Sequence, residues 1–175
     1  MGRAMQRDVQ AILDGALGGA IGTAGMSALM LAAGKAGLMG EQPPDKIAGA
    51  ALDALGIHEP DKRAQAVMAS LLHFGFGTGS GILFGVLHRR LPFRVPGALH
   101  GMLFACVLWA ASYQGWIPGL NIMPPASEDR PDRRRVILLA HLVYGAILGT
   151  IVARRQPTAD PLAEEEEDPA LAAGY

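Results

Sequence analysis

The chain has 175 residues, half of them hydrophobic, with 15 Lys and Arg against 16 Asp and Glu. A net charge of −1 excludes a general nucleic-acid binder, which carries a basic surplus. The single cysteine, Cys106, excludes an internal disulfide framework and a cysteine-rich zinc site.

Charged residues make up 18% of the chain, below the roughly 25% of an average soluble domain. They are absent from four windows, Gly15–Gly34, Ala64–His88, Val95–Ser127 and Val136–Ala153, of 20, 25, 33 and 18 residues. A bilayer core of roughly 30 Å needs about 20 apolar helical residues. The windows predict helices over about 11–33, 66–88, 97–116 and 136–153. The third is expected to stop soon after Trp116, because Pro118, Pro124 and Pro125 follow. A soluble four-helix bundle is the competing reading, but the chain is too short to surround four helices that are apolar all round. Long Ala/Gly/Leu runs lack the period-two alternation of strands.

In chain order, residues 1–10 form a polar N-terminal segment, and 11–63 hold the first transmembrane helix with a long loop. In that loop Pro44-Asp45 begins a short amphipathic helix with Ile47, Ala48, Ala51, Leu52 and Leu55 on one face. It fits a segment lying on the membrane or capping the bundle, and equally a solvated loop helix. Residues 64–96 hold the second helix and a loop with Arg89, Arg90 and Arg94 and no acid. Residues 97–135 hold the third helix and a proline-interrupted connection, and 136–155 hold the fourth helix. Residues 156–175 form an acidic tail, expected to be disordered. The first helix, preceded by Arg3 and Arg7, also resembles a secretory signal, but the internal repeat argues that it is retained. Basic residues nearly tie, seven on the side of the termini against eight on the other. The purely basic short loop tips the expectation to cytoplasmic termini.

The chain reads as two copies of one helical hairpin. Shifted by 82, Gly15-Ala16-Leu17-Gly18-Gly19 falls on Gly97-Ala98-Leu99-His100-Gly101, and Gly37-Leu38 on Gly119-Leu120. Shifted by 68, His73, Gly77 and Gly81 fall on His141, Gly145 and Gly149, with Phe76 opposite Tyr144. Each copy reaches a double proline, Pro43-Pro44 and Pro124-Pro125. An even number of helices joins the copies, so they run in the same sense about a pseudo-twofold axis along the membrane normal. The fold class expected is therefore all-α and polytopic, four transmembrane helices in two tandem hairpins. Lipid supplies little hydrophobic drive between helices, so small residues must let backbones approach. Gly18 and Gly22, Gly77 and Gly81, Gly97 and Gly101, and Gly145 and Gly149 supply that spacing.

An ionisable side chain inside a membrane is a functional candidate by default. His73 and His141 lie at similar depth on parallel helices, near the long loops, with Tyr113, Tyr144 and Trp116 at about that level. They could hydrogen-bond across helices, relay protons, or ligate haem or a transition metal. His100 and Asp14 sit at the opposite end and form a second candidate polar site. Met26 and Met30, four apart, suit soft Cu(I) or plain packing. Trp109 and Tyr113, also four apart, suit packing or interface anchoring. The chain has no phosphate loop, zinc-protease helix, nucleophile elbow or dinucleotide fingerprint.

The Gly-rich first helix, Pro43-Pro44, Leu72-His73-Phe74-Gly75, Pro124-Pro125 and Ala140-His141-Leu142-Val143-Tyr144 together resemble the YagU-like family of small bacterial inner-membrane proteins. The resemblance runs over roughly Gly15–Arg155. It implies the bacterial inner membrane and no defined biochemical activity. The leading expectation is a non-enzymatic, accessory or stress-related membrane component without cofactor, with the bilayer, a second copy or another membrane protein as partner. The alternatives are a small transporter or proton conductor using His73 and His141, which would need a dimer, and a haem- or metal-binding redox subunit using the same pair.

Overall fold

The computed structural model describes residues 2–90 and 95–156. Arg94 and the acidic tail from Pro157 lie outside the described residues. Every regular element among those described is helical: α1 (Arg3–Lys35), α2 (Pro43–Ala54), α3 (Lys62–Arg90), α4 (Gly97–Trp109), a π-helical segment (Ala110–Trp116), α5 (Ile117–Gly119) and α6 (Pro131–Arg155). Three helices, Ala4–Lys35, Lys62–Arg90 and Pro131–Arg155, are long and apolar enough to cross a membrane.

The helices outrun their charge-free windows because charged residues at helix ends cost little outside the apolar layer. α1 begins eight residues early, where Ala4, Met5, Gln6 and Arg7 are good helix formers and Asp8 pairs with Arg89 of α3. Asp61 caps α3, its carboxylate accepting from the Ala64 N–H at 2.8 Å. α6 starts at Pro131, whose missing N–H is harmless in a first turn.

Pro118 does not end the third apolar helix, contrary to the sequence expectation. α4, the π segment and α5 run unbroken from Gly97 to Gly119. The Ile117 N–H reaches back five residues to the Ser112 carbonyl, and Pro118 has no N–H to give the carbonyl four residues before it. The wider ladder absorbs that loss. The helix ends where Asn121 turns left-handed at φ 56. There the Ile122 N–H meets the Ile117 carbonyl and the Asn121 N–H meets the Pro118 carbonyl. α1 ends in the same motif at Gly37, φ 76. The left-handed helix ends are thus Gly37 and Asn121, whereas the expected register paired Gly37 with Gly119.

α1 packs between α3 and α6, α6 packs on α4, and α2 lies on α3. The α1–α3 seam is backbone against backbone. A Cβ at Gly81 would overlap the Gly15 carbonyl oxygen, and one at Gly19 would sit 2.6 Å from the Gly77 carbonyl oxygen. The α4–α6 seam is alike: a Cβ at Gly145 would overlap the Gly101 carbonyl oxygen, and one at Gly97 would sit 2.6 Å from that of Gly149. Gly18 and Gly22 of α1 accept Leu148 and Tyr144 of α6, each within 2.9 Å of an added Cβ. α3 and α4 have no such seam. They meet through rings: Phe84 on Phe104 at 5.2 Å, Phe84 on His100 at 4.9 Å and Phe76 on Trp116 at 6.2 Å. His100 and Phe104 occupy the positions that the shift of 82 matches to Gly18 and Gly22.

Gly79 of α3 has nothing within 4 Å of an added Cβ. Gly79→Ala should therefore raise stability by about 0.5–1 kcal/mol through backbone entropy. Gly81→Ala should lower it by on the order of 1–3 kcal/mol by overpacking. Denaturation of the purified protein in mild detergent reads both, and equal effects would contradict the seam.

Candidate functional site

The second half of α1, the first halves of α3 and α6, and the end of the composite helix α4–π–α5 enclose a cavity of about 220 Å³. Pro43, Pro44 and Ile47 of α2 roof it, and Met123 closes the loop side. α2 is held by Ala48 and Leu52, both buried, and by Gln42, which donates to the Met30 carbonyl at 3.2 Å. Leu55, expected on the same buried face, is exposed, because α2 has already ended there. Asp45 on α2 is pushed above the usual carboxylate range by burial and then by Glu41.

His73 and His141 both line this cavity, as do Met26, Met30, Tyr113 and Tyr144. His141 Nδ1–H donates to the Ile137 carbonyl at 2.8 Å. In the neutral ring this leaves Nε2 as an acceptor. The Nε2 of His73 is buried with no hydrogen-bond partner among the described residues. The hydroxyls nearby are committed. Tyr144 donates across helices to the Gly77 carbonyl at 2.7 Å, Thr23 to the Gly19 carbonyl at 2.7 Å, and Ser112 to the Leu108 carbonyl at 2.8 Å. Tyr113 donates to Asp129, whose other partner is Arg133 at 2.9 Å, both acidic and basic side chains being buried. Trp109 stands edge-on to Tyr113, ring centroids 6.1 Å apart, and does not line the cavity.

At the opposite end stand His100 and Asp14, the second candidate polar site. His100 meets His88, Nδ1 to Nδ1 at 2.8 Å, one ring donating and the other accepting. Both stand against Phe84. The Asp14 side chain, wholly buried, accepts from Arg155 Nε at 2.6 Å and from Gln10 at 3.0 Å. His88, Arg155, Asp129 and Arg133 were not singled out by the sequence reading. His88 had a usable signal: it stands at the foot of one helix, with His100 one turn into the next, across a short loop. Asp129 and Arg133 had the i,i+4 spacing of a helix-start ion pair. Nothing local marked Arg155 as the partner of Asp14, 141 residues away.

Three helices long and apolar enough to cross a membrane mark the chain as a membrane protein. The chain belongs to a family of unknown function, DUF6789, whose profile matches residues 9–162. No curated protein and no solved structure matches it. The match supports the expected membership of an uncharacterised family, and nothing in it ties the chain to the YagU-like family specifically. Among the described residues, no three His, Cys, Asp or Glu side chains group to hold a metal ion.

Tyr113→Phe should cost about 1.5–3 kcal/mol, one hydrogen bond to a charged group. Asp129→Ala should cost about 3 kcal/mol or more, because Arg133 is left buried and unpaired. Denaturant titration of the two variants checks the order, and a cheaper Asp129→Ala would contradict it.

Proposed function

We propose that the protein is an inner-membrane, four-span accessory protein that binds a small, neutral, membrane-soluble molecule between its helices without transforming it. The fourth span is the composite helix from Gly97 to Gly119, about 34 Å long at ~1.5 Å per residue, against a core of roughly 30 Å. It fails to read as one long span only because the π segment interrupts it. The two hairpins are a duplication. In support, Gly15 with Gly81 and Gly19 with Gly77 become Gly97 with Gly149 and Gly101 with Gly145 under the same two shifts, 82 and 68. The termini lie on the cytoplasmic side, with the cavity toward the other face.

One observation carries the binding reading: the buried, unpartnered Nε2 of His73 in an otherwise apolar cavity. A buried polar atom without a partner costs about 1–3 kcal/mol. Keeping it makes sense where a ligand supplies the missing bond. Transport across the bilayer is less favoured. Between the two polar ends lie Phe84 and Leu148, both fully buried, and glycine seams where the hydroxyls of Thr23 and Tyr144 are spent on the Gly19 and Gly77 carbonyls.

The reading has a distinctive signature. Para-butylphenol should raise the melting temperature of the detergent-purified protein more than butylbenzene does. His73→Leu should remove that difference while keeping or raising the stability of the free protein. A His73→Leu protein that is less stable and binds both probes as before would make His73 a packing residue and end the proposal.

A further inference from the structure

We infer that the natural occupant of this cavity is a quinone-type ring, with a hydrocarbon chain that leaves sideways into lipid between α3 and the composite helix. This inference rests on the ligand-binding reading above.

Size sets the first limit. An apolar cavity of about 150 Å³ takes one benzene ring. At about 220 Å³ this one has room for a single substituted ring.

Charge sets the second. Among the described residues, no Asp, Glu, Lys or Arg lines the cavity. The nearby cation, Arg133, is committed to Asp129. A fatty acid or phospholipid headgroup would lose its hydration and gain no counter-charge, so the ligand is neutral.

Hydrogen bonding sets the third. The hydroxyl protons of Thr23, Ser112, Tyr113 and Tyr144 are spent within the protein. That leaves the two imidazoles, with His141 Nε2 as acceptor and His73 Nε2 without a partner. A quinone carbonyl can accept from a His73 Nε2–H, and the quinol hydroxyls can do so and also donate to His141 Nε2. No electron transfer is involved, since both forms are bound and released unchanged.

The walls and the exit complete the fit. Met26, Met30, Phe76 and Trp116 offer thioether and aromatic surface to a flat ring. Phe76 and Trp116 are both exposed at the outer edge, with ring centroids 6.2 Å apart. Here α3 and the composite helix are joined by side chains alone, so a chain can pass between them as it cannot through a glycine seam.

The test uses the full chain in mild detergent, carrying Trp109→Phe so that Trp116 is the sole tryptophan. It is titrated with a decyl-chain benzoquinone, its quinol, decylbenzene and decanoate, with para-butylphenol as the reference for cavity binding. The quinone should quench Trp116 saturably and raise the melting temperature. Its dissociation constant should rise about tenfold or more in His73→Leu, one hydrogen bond lost. It should recover in His73→Gln, which can still donate. Decylbenzene should bind more weakly than the quinone and equally to all three. Decylbenzene or decanoate binding as tightly as the quinone, or a quinone affinity indifferent to His73→Leu, overturns the inference. If para-butylphenol binds and neither the quinone nor the quinol does, the ligand class is wrong and the cavity reading stands. If no probe binds to protein with an intact helical spectrum, both are wrong.

Discussion

The arrangement depends on how closely two helix backbones can approach. In lipid an apolar side chain gains nothing by leaving its surroundings for a neighbouring helix, so contact distance decides which helices bind firmly. Three pairs come close here, α1 with α3, α4 with α6 and α1 with α6, and each has glycine where backbone or side chain of the partner presses closest. The fourth pair, α3 with α4, is held apart by Phe84, His88, His100 and Phe104. The bundle is thus tight on three sides and wedged on one.

The wedge has consequences at both ends of the bundle. At the end bearing the helix termini, the space is filled by the stacked histidines and phenylalanines, and the buried Asp14 is neutralised by Arg155 reaching in from the last turn of α6. Toward the long loops, rings no longer fill the gap and it opens into the cavity. The π segment lies alongside this opening, and its wider turn presents Ser112, Tyr113 and Trp116 on the cavity side. Such π-helical turns recur at functional sites because they spend regular hydrogen bonding on an unusual side-chain display. A tight scaffold next to a loosely filled pocket is the division of labour that reversible binding requires.

Much of this was legible in the residues, and the reasons differ from case to case. The helical class followed from charge-free windows, because lipid admits few other structures for long apolar segments. Counting along helices put His73 and His141 at one level, and both line the same cavity. The exchange of Gly18 for His100 was visible as an asymmetry, but its effect on helix spacing was not, since that needs the partner helix. His88 escaped notice because its partner comes from the next helix. The π segment was illegible, because Pro118 reads equally well as a helix stop. The buried pairs of Asp129 with Arg133 and Asp14 with Arg155 arise where charged helix ends meet loops or distant termini, beyond the reach of local pattern.

His100 and Phe104 on α4 hold α3 away and so make room for the cavity. A distance between α3 and α4 in the membrane decides this. Spin labels on Leu83→Cys and Leu103→Cys, both exposed positions, in a Cys106→Ser background would report it by pulsed electron resonance in nanodiscs. Restoring the first-copy pattern with His100→Gly and Phe104→Gly should shorten that distance by a few ångströms, toward the close approach of a glycine seam. A distance that stays the same or lengthens in folded protein would contradict the account, because the spacing of α3 and α4 would then owe nothing to those two side chains.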